Sequence, residues 1–361
     1  MDKKQDTIYA LSTPPGKSAI AVVRISGNKA FNYIKKISSS MPTKANISTL
    51  NKLITRTGDV IDQTITTYYK APKSYTGEDM VEISMHGGSA TINKFIDIFK
   101  KNKKTRLAEP GEFTRRSFEN NKLDLTQVEA IADLVNAETE YQRKQAYSQL
   151  EGKLTLKTKE IYNELKNTLA NIEAIIDFTD EELPKKLLNN TKEQIENISD
   201  NIESILNNNN KGRKIREGFV VGIIGNTNTG KSSFINNVSN QEIAIVSNKP
   251  GTTRDAIESY IDIMGLPVRF YDTAGIRKHR NAIEKKGIIK SKEISKDSDL
   301  NLVFINNISE INDFKCFLNS IFVQSKYDIR KRPIRIDNII NISSKTNHGI
   351  NGLLKEVFQK L

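Results

Sequence analysis

Tryptophan is absent from the 361 residues, cysteine occurs once, at Cys316, and histidine three times, at His86, His279 and His348. A lone thiol excludes an internal disulfide, and three histidines scattered along the chain leave no zinc constellation. Aromatic residues are only 7% of the chain and are seldom interleaved with its basic runs, so no stacking platform for single-stranded RNA is indicated. No apolar run approaches the ~20 residues of a membrane span, and residues 1–7 are too polar for a secretory signal, so a cytoplasmic protein without a membrane role is expected.

Acidic residues are also comparatively few, 43 against 55 Lys and Arg, for a formal charge of +12. That balance suits a polyanionic partner. The lysines are dispersed through 100–104, 153–159 and 285–296, and an Asn/Ile/Lys-heavy composition fits an AT-rich genome equally well; both readings stand.

What is present is a run of phosphate-binding character. Gly225-Asn226-Thr227-Asn228-Thr229-Gly230-Lys231-Ser232 follows the apolar stretch Phe219 to Ile224, in the order strand, loop, helix. Its glycines let backbone N–H groups turn toward phosphate oxygens, Lys231 reaches the outer phosphates, and the Ser232 hydroxyl can ligate Mg²⁺ at the helix N-terminus. Downstream come Gly251-Thr252-Thr253-Arg254-Asp255, Asp272-Thr273-Ala274-Gly275, Ser325-Lys326-Tyr327-Asp328 and Ser343-Ser344-Lys345. This is the order of a GTPase. Thr253 is expected to complete the Mg²⁺ shell, Asp272 to hold the metal through water, and the Gly275 N–H to meet the γ-phosphate. Lys326 would pack on the base while Asp328 accepts the two N–H donors that guanine presents and adenine lacks. The GTP-contacting set is thus Asn228, Thr229, Gly230, Lys231, Ser232 and Ser233, then Ser247, Asn248, Lys249, Pro250, Gly251, Thr252 and Thr253. It continues with Asp272, Thr273, Ala274 and Gly275, then Ser325, Lys326 and Asp328, and closes with Ser343, Ser344 and Lys345.

Two positions depart from the usual pattern. Ser325 stands where GTPases commonly carry asparagine, and the lost amide is expected to remove a hydrogen bond between neighbouring loops, weakening nucleotide affinity by ~1 kcal/mol. Ile276 stands where many small GTPases carry a water-orienting glutamine. Catalysis then needs another polar group. Glu284 is the nearest acid in that region, and on spacing alone it reads sooner as a solvated surface carboxylate than as that group.

Periodicity divides the chain into three. Residues 1–118 mix β-type runs (Ala19 to Ile25, Gln63 to Tyr69, Met80 to Met85) with amphipathic helix such as Ala90 to Lys100, an α+β domain. Residues 119–212 are expected to be helical: Ile161, Leu165, Leu169, Ile172 and Ile176, and again Ile195, Ile198, Ile202 and Ile205, each lay one apolar stripe along a helix. Pro184 breaks the helical stretch, and the polar run Asn207 to Gly212 is expected to be a linker. Residues 213–361 are expected to form an α/β P-loop GTPase domain with a parallel, doubly wound sheet.

Taken with further blocks, the chain resembles the MnmE (TrmE) family of bacterial tRNA-modification GTPases. The blocks are Asp6-Thr7-Ile8, Thr13-Pro14-Pro15-Gly16, Val22 to Gly27, Ser74-Tyr75-Thr76-Gly77-Glu78-Asp79, Glu82 to Gly88, Glu109 to Arg116 and Lys122-Leu123-Asp124-Leu125. The resemblance implies a folate-binding N-terminal domain in which Arg24, Glu82 and Lys122 hold 5-formyl-tetrahydrofolate or a related reduced folate. Arg24 and Lys122 suit its glutamate tail, and Glu82 the N–H donors of its pterin. It also implies K⁺ in place of an arginine finger, with Asn228, Ser247, Lys249 and Thr252 as its ligands, Glu284 as the catalytic glutamate and Arg254 as a switch residue. The implied activity is K⁺-stimulated, Mg²⁺-dependent GTP hydrolysis that accompanies addition of a carboxymethylaminomethyl group at C5 of the wobble uridine of certain tRNAs. A homodimer working with the FAD-dependent partner MnmG (GidA), as a heterotetramer, is the implied assembly. Family members carry further C-terminal helices ending in Cys-x-Gly-Lys, and that motif is expected to be missing here, since one helix, Gly352 to Lys360, follows Lys345 and Cys316 lies elsewhere. The segment Phe304 to Phe322 is also shorter than the pattern. Two alternatives follow: a GTP- or folate-binding module without modification activity, which the shortened end keeps open, and a ribosome-assembly GTPase, which the N-terminal blocks oppose.

Overall fold

The computed structural model describes residues 6–102, 104–177, 185–240, 244–245, 260–272, 295, 297–314, 317–329 and 339–361. The chain divides into two compact units, Met1–Glu129 and Ala130–Leu361.

In the first unit, β1 (Thr7–Leu11), β2 (Ser18–Ser26), α1 (Ala30–Lys35), β3 (Ser48–Ile54), β4 (Val60–Tyr69), β5 (Met80–Gly87), α2 (Ser89–Lys100), β6 (Thr105–Leu107) and α3 (Glu112–Glu119) follow in order. The strands form one sheet, β3-β4-β5-β2-β1-β6, antiparallel except where β1 meets β6. The pleat alternates faces along each strand. Ala21, Val23 and Ile25 of β2 and Val81, Ile83 and Met85 of β5 are buried in a cluster with Ile34 of α1 and with Phe95 and Phe99 of α2. Arg24 and Glu82, between these apolar residues, point to the opposite face.

The helix α4 (Leu125–Asn136) crosses from one unit to the next. In the second unit, α5 (Glu140–Leu150) starts at a capping box between Thr139 and Gln142 and is followed by the long helices α6 (Lys153–Asp177) and α7 (Lys185–Glu217). The polar run Asn207 to Gly212 is therefore not a linker: α7 continues through it. No proline interrupts the run, and the ~1 kcal/mol cost of a helical glycine is offset by tethers near the helix end. Gln145 Nε2 donates to the Gly212 carbonyl at 3.0 Å, Arg216 pairs with Asp133 at 2.9 Å, and Lys214 pairs with Asp299. Along the apolar stripes Ile198 is buried, while Leu165, Leu169, Ile176 and Ile195 are exposed. Pro184 lies outside the described residues.

The rest of this unit is built on β7 (Phe219–Gly225), α8 (Lys231–Asn240), β8 (Ala244–Ile245), β9 (Tyr260–Ile263), β10 (Leu266–Asp272), β11 (Leu300–Ile305), α9 (Ile311–Phe314), β12 (Ser320–Gln324), β13 (Ile339–Asn341) and α10 (Ile350–Lys360). The sheet runs β13-β12-β11-β7-β10-β9-β8 and is parallel from β13 to β10. Beyond β10 it turns antiparallel. Met264 and Gly265, at φ +53° and +92°, supply the two left-handed residues that a tight hairpin between β9 and β10 requires. Helices cover both faces, as doubly wound sheets demand. Val221, Ile223, Leu302, Phe304 and Val323 pack with Phe234 of α8 and Leu353 and Val357 of α10, and Ile224, Val303 and Ile305 pack with Phe314 of α9. No helix among the described residues is long and apolar enough to cross a membrane.

Candidate nucleotide-binding site

Strand β7 delivers the chain to residues 226–230 at the C-terminal edge of the sheet, and α8 leaves from Lys231, so the helix's first N–H groups line the loop. A helix start of this kind leaves orphan donors that suit an anion. Lys231 is buried, and its Nζ donates to the carbonyls of Gly225 and Asn226 at 2.7 and 2.6 Å. The Thr229 hydroxyl donates to the Asn226 carbonyl at 2.8 Å, which closes the loop on itself. Asn228 takes a left-handed backbone, φ +63°, and is exposed, as are Ser232 and Ser233 in the first turn of α8.

The segment after β12 reaches this loop from the side. The Ser325 hydroxyl donates to the Thr229 carbonyl, and Lys326 Nζ donates to the Asn228 carbonyl at 2.8 Å. The expected loss of a tie between the loops is thus corrected: serine makes it with its own hydroxyl. The short arm reaches because Gly230, at φ +91°, lies against Ser325 so closely that any Cβ there would collide with it. Asp328 is held at the other end of the segment, where its Oδ1 accepts from the Ser343 hydroxyl at 2.7 Å. The Ser344 carbonyl accepts from Asn237 of α8 at 2.8 Å, and Lys345 is exposed beside it.

The structure therefore brings together Asn228 to Ser233, Ser325, Lys326, Asp328 and Ser343 to Lys345 from three separate loops. Asp272 ends β10 opposite Ile223, one strand from the phosphate loop. Ser247, Asn248, Lys249, Pro250, Gly251, Thr252, Thr253, Arg254, Thr273, Ala274, Gly275 and Glu284 lie outside the described residues, as does Cys316.

In the first unit Arg24 and Glu82 are direct cross-strand partners. Arg24 Nε and Nη2 approach Glu82 Oε1 at 2.8 and 2.7 Å, and Tyr69 OH donates to Oε2 at 3.4 Å. Burial, then the Glu82 charge, raises the Tyr69 pKa. The Arg24 guanidinium lies 5.0 Å from the ring centre of Tyr75 and 5.6 Å from that of Phe113. Lys122 follows α3, its backbone N–H on the Ser117 carbonyl at 2.8 Å and its stem against the turn at Gly77. The sequence had placed Tyr75 and Phe113 inside recognisable blocks without assigning them a role, and nothing in the pattern singled out Tyr69.

Helix α3 owes its position to a buried ion cluster. Glu112 takes a bidentate fork from Arg106 at 2.6 and 2.8 Å, while Arg116 reaches Glu112 at 3.1 Å, Asp6 at 2.6 Å and Glu78 at 3.0 Å. Burial alone would raise the Glu112 carboxyl, but Arg106, the Glu109 N–H and Arg116 together hold it down at about 2.

Residues 7–122 match the family described as GTP-binding protein TrmE N-terminus, and residues 125–361 that described as the MnmE helical domain. The tRNA modification GTPase MnmE of Pelagibacter ubique is 43% identical over 335 residues, 91% of this chain and 75% of that protein. Its namesakes from Dinoroseobacter shibae and Aquifex aeolicus are 39% and 37% identical, each over 99% of this chain and 82% of theirs.

Proposed function

This chain belongs to the MnmE family of tRNA-modification GTPases, and on that premise we propose that it hydrolyses GTP to drive addition of a carboxymethylaminomethyl group at C5 of the wobble uridine, U34, of certain tRNAs. The observation that carries this reading is the double tie between phosphate loop and base loop, Ser325 to Thr229 and Lys326 to Asn228. It sets the groups for the triphosphate and those for guanine at a fixed spacing. The Lys231 ammonium, now on backbone carbonyls, gains a stronger charge-assisted bond on phosphate oxygens. Asp328, steadied by Ser343, accepts the guanine N–H donors.

Hard oxygen donors suit Mg²⁺ and K⁺, and the exposed Ser232 and Asn228 beside the phosphate loop fit them. Ser232 and Thr253 would hold Mg²⁺, and Asn228, Ser247, Lys249 and Thr252 would hold K⁺. When bound, the ions supply positive charge against the transferred phosphoryl. Glu284, assisted by Arg254, takes the water-orienting role that Ile276 cannot fill. In the first unit the Arg24–Glu82 pair, with Lys122 close to the Gly77 turn, offers a carboxylate for pterin N–H groups and cations for a glutamate tail, and its aromatic neighbours suit a flat heterocycle. A reduced folate held there by Arg24, Glu82 and Lys122 would supply the one-carbon unit. The protein works in the cytoplasm as a homodimer with the FAD-dependent partner MnmG, and tRNA is the polyanion its basic surface meets.

The test is to measure wobble-uridine modification in tRNA from a strain lacking this activity and supplied with this gene, alongside GTP turnover of the purified chain. Modification returns, turnover is faster in K⁺ than in Na⁺, and Glu284→Ala binds GTP without hydrolysing it. A chain that binds no GTP overturns the reading.

A further inference from the structure

The base-recognition loops carry an aromatic stack that the GTPase pattern does not call for. Tyr327, between Lys326 and Asp328, lies face to face with His348, ring centres 4.4 Å apart and planes 9° from parallel. Each ring projects from a constrained turn. Lys326 has φ +61°, and the Tyr327 N–H donates to the Ile342 carbonyl at 3.1 Å. On the other side Asn347 and Gly349 have φ +59° and +72°, and Gly349 sits against the Asn341 carbonyl with no room for a Cβ. Asn237 of α8 donates to Asn347 Oδ1 at 2.8 Å, and the Ser343 N–H donates to the His348 carbonyl at 2.9 Å.

The stack thus joins the loop that bears Asp328 to the loop that bears Ser343, whose hydroxyl holds the Asp328 carboxylate. We propose that Tyr327 and His348 are positioning residues for guanine recognition: their stack braces the two loops so that the Asp328 carboxylate stays aimed at the base. The inference rests on the GTPase reading and adds to it a device for base specificity. Neither ring needs to touch the nucleotide. Parallel aromatic contact adds stabilisation beyond the area it buries, and here that contact bridges two segments whose relative position sets the hydrogen bonds to the base.

The test is release of radiolabelled GDP and IDP from the full chain under a chase of unlabelled nucleotide. Inosine lacks the 2-amino group, so IDP offers Asp328 one hydrogen bond fewer and loses less when that carboxylate loosens. Tyr327→Ala and His348→Ala each accelerate GDP release about five-fold, the scale of one aromatic pair. The double variant is no faster than either single one, Tyr327→Phe keeps the original rate, and IDP release rises less than GDP release, so the gap between the two nucleotides narrows. Unchanged GDP release in both alanine variants, or equal acceleration for both nucleotides, overturns the brace. Failure of the unaltered chain to retain either diphosphate overturns the GTPase reading, and the brace with it.

Discussion

The ion cluster around α3 and the loop around Lys231 both bury a cationic side chain, yet they hold it with different partners. Arg116 is 5% exposed and meets the carboxylates of Asp6, Glu78 and Glu112; Lys231 is 7% exposed and meets carbonyls of its own loop. A guanidinium among carboxylates has nothing to gain from an incoming anion, because its charge is already matched. An ammonium bonded to carbonyls of its own loop strengthens those bonds when phosphate oxygens replace them. Burial alone therefore does not separate a structural cation from a functional one. What an incoming phosphate would replace around it does.

Arg116→Ala should show the larger effect on folding. It leaves three carboxylates in a tight space without their central cation, and breaking such a buried arrangement costs ~3–5 kcal/mol. Urea unfolding followed by circular dichroism measures that loss, while GTP affinity stays as it was. Lys231→Ala does the reverse: GTP affinity falls at least ~100-fold, as several charge-assisted bonds are lost, and unfolding changes little. A loss of GTP affinity in Arg116→Ala would erase the contrast.

Acid sharpens the same comparison. The Glu112 carboxyl has an ordinary pKa of 4.5 in the unfolded chain and about 2 when folded, and Asp6 is lowered in the same direction. The unfolded state then binds the proton first. The stability supplied by Glu112 is complete above about 4.5 and is lost as pH falls toward about 2, a change of up to ~3 kcal/mol. Glu112→Gln should flatten the pH dependence across that window, as read from unfolding midpoints between pH 5 and pH 2. A wild-type midpoint that stays constant there would mean that the cluster is not what the first unit loses in acid.

Much of this was legible in the sequence, for identifiable reasons. The phosphate loop reads directly because its chemistry is carried by contiguous residues, and the strands of the first unit read from a two-residue alternation. The antiparallel edge at β9 and β10 was hidden because one pair of turn residues, Met264 and Gly265, decides it. The continuation of α7 through Asn207 to Gly212 was hidden because residues far along the chain, Asp133, Gln145 and Asp299, hold that helix end. Tyr69, Tyr75 and Phe113 meet the Arg24–Glu82 pair only once the sheet and α3 have brought distant blocks together, and no local spacing announces that.

Ser325 marks the finest edge of the comparison, since one hydroxyl does for the phosphate loop what a cluster of charges does for α3. Its Oγ is buried and donates to the Thr229 carbonyl, with Gly230 close enough to make the short reach sufficient. Ser325→Ala removes that donor while keeping the Cβ, so the cost is that of a single neutral hydrogen bond, ~1 kcal/mol, or about five-fold weaker binding of GTP and GDP alike. The equal effect on both nucleotides follows from where the tie acts: it fixes the spacing between base and phosphate subsites and touches no γ-phosphate. Equilibrium titration of the two nucleotides checks it. Unaltered affinity for both would show that Lys326 on the Asn228 carbonyl holds the loops together unaided, and a loss confined to GTP would place the hydroxyl's influence at the γ-phosphate instead.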